Sequence, residues 1–126
     1  MTGSGSVGYV ISFPTGPVIY SAGDTGVFGD MEIIRKLHGP NISILPAGGK
    51  FTMGYREAAY AASLLESKFI LPVHHGAFPD QTLEIDKLKE HTAVRAPRTT
   101  VVDWKAGDTF EYLYQEESFR MLPRGE

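Results

Sequence analysis

The sequence predicts an α/β protein built on one dominant sheet. Short β-rich runs alternate with helical patterns in the order β-β-α-β-α-β-α-β-β. The most apolar runs, Ile42-Ser43-Ile44-Leu45 and Phe69-Ile70-Leu71, are short and bounded by turn residues, as buried strands are. Between them lies an alanine-rich helix whose small face can approach a sheet closely.

Each element has a local cause. Val7 to Phe13 is rich in β-formers, Pro14-Thr15-Gly16-Pro17 is a turn, and Val18-Ile19-Tyr20-Ser21 returns as the second arm of a hairpin. Asp30 is placed to N-cap a helix over Met31 to Leu37, with Met31, Ile34 and Leu37 on one face, Ile33 four before Leu37, and Gly39-Pro40 as its stop. Strand Ile42–Leu45 follows and ends at Pro46-Ala47-Gly48-Gly49. The second helix runs from about Tyr55 to Ser67, with Ala58, Ala61, Ala62 and Leu65 at i, i+3, i+4 and i+7. After strand Phe69–Leu71 comes a third helix over Thr82 to His91, its acidic residues early and its basic ones late, as the helix dipole favours. Thr99–Val102 is a strand, Lys105–Asp108 a turn, and Thr109–Tyr114 the last strand.

A length of 126 residues suits one domain, with 1–6 a flexible N-terminus, 7–114 the core and 115–126 a polar C-terminal tail. The formal charge of −3 gives no long-range attraction to nucleic acid or an anionic membrane, while small anionic substrates need only local donors. With no cysteine, disulfides, thiolate metal ligands and a cysteine nucleophile are excluded. No apolar run approaches the ~18 residues of a membrane span, and no charged-then-apolar leader opens the chain, so the expected location is cytoplasmic.

The chemistry concentrates in two strings, Ala22-Gly23-Asp24-Thr25-Gly26 and Pro72-Val73-His74-His75-Gly76. Each follows an expected strand. A carboxylate and an imidazole at strand C-termini are donors that Zn²⁺ or a similar ion accepts at about 2.0–2.2 Å. Such an ion lowers its bound water to a pKa near ~7 and so supplies a hydroxide nucleophile. A catalytic site takes about three protein ligands and an open position, and Asp24 with His74 falls short of that count. The remaining histidines, His38 and His91, are expected near helix C-termini in structural roles.

Other motifs fail on context. Gly3-Ser4-Gly5-Ser6-Val7-Gly8 spells G-x-G-x-x-G, but no strand precedes it and no helix follows. Gly48-Gly49-Lys50 lacks the full phosphate-loop spacing, and no serine stands in a G-x-S-x-G turn.

Several separated strings, in order, resemble the metallo-β-lactamase superfamily: Gly8-Tyr9-Val10-Ile11, Ile19-Tyr20-Ser21-Ala22-Gly23-Asp24-Thr25, Phe28-Gly29-Asp30-Met31, Leu45-Pro46-Ala47-Gly48-Gly49, Phe51-Thr52-Met53-Gly54, Glu57-Ala58-Ala59 and Pro72-Val73-His74-His75-Gly76-Ala77-Phe78-Pro79. The most similar branch is the metal-dependent hydrolases related to ascorbate-phosphate lactonase. The resemblance implies half of a four-layer αββα sandwich, one mixed sheet with helices packed on it. It implies that Asp24 touches or bridges metal and that His74 is the last metal-binding histidine. Together they form the catalytic and metal set, with Thr25 and His75 as possible supports around them. It implies a divalent cofactor (zinc first, manganese or iron otherwise) and a small-molecule substrate.

The family's H-x-H-x-D-H motif is absent from this sequence. The resemblance is therefore to a C-terminal half, whose expected partner is the complementary N-terminal half or a second copy of the chain. A homodimer would bring two copies of Asp24 and His74 together. Val10, Ile19, Ile44 and Ile70 are candidates for the apolar face such a partner would cover or for the core. The competing expectation is a non-catalytic α/β domain for assembly or small-ligand binding, with residual ligands kept by descent.

Overall fold

The computed structural model describes residues 8–14, 16–23, 29–47, 53–73, 85–104 and 107–122. Five strands form one mixed sheet in the order β1-β2-β3-β4-β5: β1 Tyr9–Ser12, β2 Val18–Ser21, β3 Ile42–Pro46, β4 Phe69–Val73 and β5 Thr100–Val101. β1 and β2 pair antiparallel as the expected hairpin, while β2, β3, β4 and β5 run parallel. The parallel connections are made by helices α1 Met31–His38, α2 Tyr55–Leu65 and α3 Ile85–Arg95.

The principal core lies between this sheet and the helices. Tyr20, Leu45, Ile70 and Val101 meet Met31, Ala58, Ala61, Ala62, Leu65 and Leu88 there. The alanine face of α2 is fully buried, and its small side chains let neighbouring backbone come close. Glu57 reaches back to accept the Gly54 N–H at 2.7 Å, which satisfies an otherwise orphaned donor at the start of α2. At the other end of α2, Arg35 of α1 donates its Nε–H to the Leu64 carbonyl at 3.1 Å and pairs with Glu66.

Polar contacts fix the strand starts. Asn41 accepts the Val18 N–H on its Oδ1 and donates its own N–H to the Val18 carbonyl, both at 2.8 Å, while its carbonyl accepts the Phe69 N–H at 3.0 Å. One residue thus aligns β2, β3 and β4. The buried Ser43 and Ser67 hydroxyls bond each other at 2.6 Å, so these polar groups are paired inside the core.

Several local expectations are corrected. Asp30 occupies the N-cap position of α1 in a helical conformation and makes no side-chain cap; Gly29 and Asp30 instead accept the first backbone N–H groups. Leu37 is 72% exposed, because α1 turns only Met31 fully and Ile34 partly toward the core. α3 ends at Arg95, not His91, so His91 lies within the helix with its ring 5.0 Å from that of Tyr55, away from the dipole end. Within the stretch expected as a tail from residue 115, a one-turn 3-10 helix that starts at Tyr114 runs to Glu116, and strand β7 spans Ser118–Leu122. β7 pairs antiparallel with β6 Thr109–Leu113 in a separate two-stranded sheet.

The burial pattern predicts a contrast between two leucines. Leu45→Ala, at a fully buried position, should cost about 2–5 kcal/mol. Leu37→Ala should change stability by less than about 0.5 kcal/mol. Urea unfolding of both variants measures the difference.

Candidate metal centre

The sheet order decides where the chemistry-bearing strings start. β2, β3 and β4 are parallel neighbours, so their C-terminal ends lie on one edge of the sheet. β2 leads through Ala22 and Gly23 toward Asp24, and β4 ends at Val73, one residue before His74. One strand separates them, which puts their axes about 10 Å apart at ordinary strand spacing. Asp24, Thr25, His74 and His75 themselves lie outside the described residues, as does the Gly48-Gly49-Lys50 string.

The described approaches to that edge are tightly bonded. The Ala22 N–H donates to the Ile44 carbonyl at 3.0 Å, prolonging the β2–β3 ladder past the strand end. Gly23 then takes a left-handed conformation with φ 72°. That conformation is costly for a residue with a Cβ, which explains glycine directly before the aspartate. The Ala47 N–H donates to the Val73 carbonyl at 2.9 Å, and the Met53 N–H returns to the Pro46 carbonyl at 3.1 Å. The Trp104 indole N–H donates to the Pro72 carbonyl at 2.8 Å. Tyr20, buried in β2, has its hydroxyl pKa pushed up by burial and stays neutral at ordinary pH.

The sequence puts one carboxylate just after β2 and one imidazole just after β4, donors of the kind a divalent ion takes but short of a full catalytic set in number. Among the described residues no three His, Asp or Glu side chains cluster as a metal cage. An open depression of about 700 Å³ lined by Ser63, Glu90, His91, Val94 and Arg95 belongs to the helix layer. It includes none of the residues expected to carry chemistry.

The other face of the sheet is apolar and only partly covered. Ile19, Ile42, Phe69, Leu71 and Val102 form a second cluster against Trp104, Phe110 and Tyr112. The β6–β7 hairpin thus caps the β4 side. Toward β1 the cover ends: Tyr9, Ile11 and Phe13 are 63%, 48% and 49% exposed. The register sets Ile11 beside Ile19 and Ile19 beside Ile42 in one row. Of the four residues expected on this face or in the core, Ile19 joins this second cluster, whereas Val10 and Ile70 pack on the helix side. Ile44 is half-buried.

Two contributors escaped the sequence reading. Asn41 looked like a loop residue after Gly39-Pro40. Trp104 lay beyond a strand, and its only signal was its spacing, two residues past Val102.

A sequence model of the beta-lactamase superfamily domain matches residues 2–74. The chain is 45% identical to a UPF0173 metal-dependent hydrolase of Caldivirga maquilingensis, over 81% of this chain and 44% of that protein. A UPF0173 metal-dependent hydrolase of Thermofilum pendens is 43% identical, over 79% of this chain and 46% of that protein. The structure of a metallo hydrolase from Ignicoccus hospitalis superposes with a TM-score of 0.69 at 28% identity, covering 88% of this chain and 43% of that one. The chain therefore spans a little under half the length of these relatives.

Gly23 offers a direct test of the bonded edge. Gly23→Ala should lower stability by about 1–2 kcal/mol for the left-handed conformation, read by thermal and urea unfolding. With the domain match and these relatives, the chain belongs to the metallo-β-lactamase superfamily.

Proposed function

We propose that this chain supplies part of a divalent-metal site of a hydrolase acting on a small molecule, with Asp24 and His74 as its ligands. The observation that carries the reading is the parallel order β2-β3-β4, which starts both ligand strings from one sheet edge. Thr25 and His75 are assigned supporting roles beside the ligands. The bound ion, zinc first and manganese or iron otherwise, would supply activated water as the nucleophile. Asp24 and His74 would orient that ion, and the remaining ligands would come from protein carrying the H-x-H-x-D-H motif.

That protein is the proposed partner. The apolar face around Tyr9, Ile11 and Phe13 is its docking surface, since exposed apolar patches of this kind mark interaction sites. The extra length of the relatives, more than half of each, is the size of partner this requires. Absence of cysteine fits a reducing, cytoplasmic setting. No helix among the described residues is long and apolar enough to cross a membrane.

The test is metal analysis of the chain alone and mixed with the complementary portion of the Caldivirga maquilingensis relative. The mixture should retain stoichiometric metal, and Asp24→Ala or His74→Ala should each lower affinity by tenfold or more. Metal-free mixtures with no hydrolysis of phosphodiester, lactone or lactam probes would instead favour a non-catalytic assembly domain.

A further inference from the structure

The β4–β5 ladder carries an irregularity at its C-terminal end. The Thr100 N–H donates to the Lys68 carbonyl and the Val102 N–H to the Ile70 carbonyl, both at 2.9 Å. Acceptors two residues apart, one just before β4 and one within it, thus meet donors two residues apart along β5 and its continuation, as a parallel ladder requires. The next rung would run from the backbone of residue 104 to the carbonyl of residue 72. β5 has already ended at Val101, and the rung is made instead by the side chain of that same residue: Trp104 Nε1–H donates to the Pro72 carbonyl at 2.8 Å.

The residue at 72 completes the logic. In a strand, a residue's N–H and C=O point to the same neighbour, and here residues 68, 70 and 72 face β5 while 69 and 73 face β3. Proline has no N–H to satisfy, and the one remaining polar group, its carbonyl, is taken by the indole. Pro72 is fully buried, where an unpaired carbonyl would be expensive. Val73 is held on the opposite side by the Ala47 N–H. The two residues preceding His74 are therefore clamped from both flanks, once by backbone and once by Trp104.

We infer that Trp104 is a positioning residue for His74, its indole N–H fixing the end of β4 from which the metal-binding string departs. The inference rests on the reading of His74 as a ligand. It acts through the carbonyl of Pro72, with no contact to metal or substrate assigned to the indole itself. Trp104→Phe keeps a ring against Ile42, Phe69 and Val102 and removes the N–H together with part of the indole's bulk.

Three readouts test it. Amide exchange on the chain should show Ala47, whose N–H bonds Val73, exchanging about tenfold faster in Trp104→Phe. Ala22 and Phe69, on rungs away from Pro72, should keep wild-type rates. Since Trp104 is the only tryptophan, one indole N–H resonance reports this bond. In the chain mixed with the complementary portion used above, Zn²⁺ should shift that resonance, and His74→Ala should abolish the shift. Trp104→Phe should weaken Zn²⁺ about tenfold. Unchanged Ala47 exchange overturns the inference. So does wild-type Zn²⁺ affinity in Trp104→Phe, which leaves the metal reading intact. Absence of Zn²⁺ binding by the unsubstituted mixture overturns the metal reading, and this inference with it.

Discussion

The parallel ladder of β2, β3 and β4 is the constraint on which the rest depends. It is held at its start by Asn41, which bonds Val18 twice through backbone and side chain and Phe69 once. It continues past the strand ends through the Ala22–Ile44 and Ala47–Val73 bonds. Parallel strands in register leave their C-termini on one edge, and loops at that edge are where α/β sheets bind ligands. Displacing β3 would separate the two strings that carry the acid and the imidazole. Its buried position between two partners is therefore as consequential as any side chain nearer the chemistry.

The two faces of the sheet are treated differently. On one, alanines of α2 admit α1, α3 and the sheet into a continuous core, and Ser43 is paired inside it with Ser67. On the other, the β6–β7 hairpin covers Phe69, Ile42 and Val102 and stops short of β1. The helix layer buries one face of the sheet within this chain. The uncovered apolar strip around Ile11 supplies a surface whose burial would stabilise a complex with other protein. That division agrees with the chain's share of its relatives, a little under half of each.

Much of this was legible in the residues. Composition and periodicity located the strands and helices within a few positions, because alternating apolar runs and the alanine stripe have strong local causes. The superfamily was visible in strings whose order no composition argument supplies. What escaped was non-local. Leu37 obeys helical spacing with Met31 and Ile34 yet faces out, since spacing fixes a face and not the width of what covers it. Residues 118–122 hold three apolar side chains but follow the polar run Gln115-Glu116-Glu117 in a short segment, and became β7 through pairing with β6. Trp104 reads as an aromatic after a strand; only the ladder reveals that its indole replaces a backbone donor.

Anomalous diffraction at the zinc edge, from crystals of the chain with its complementary portion and Zn²⁺, measures the central claim most directly. The account predicts a peak at the C-terminal edge of β2 and β4, within about 2.0–2.2 Å of both an Asp24 carboxylate oxygen and a His74 ring nitrogen. Peaks that place the two residues on separate ions, or zinc bound elsewhere with that edge empty, would contradict it.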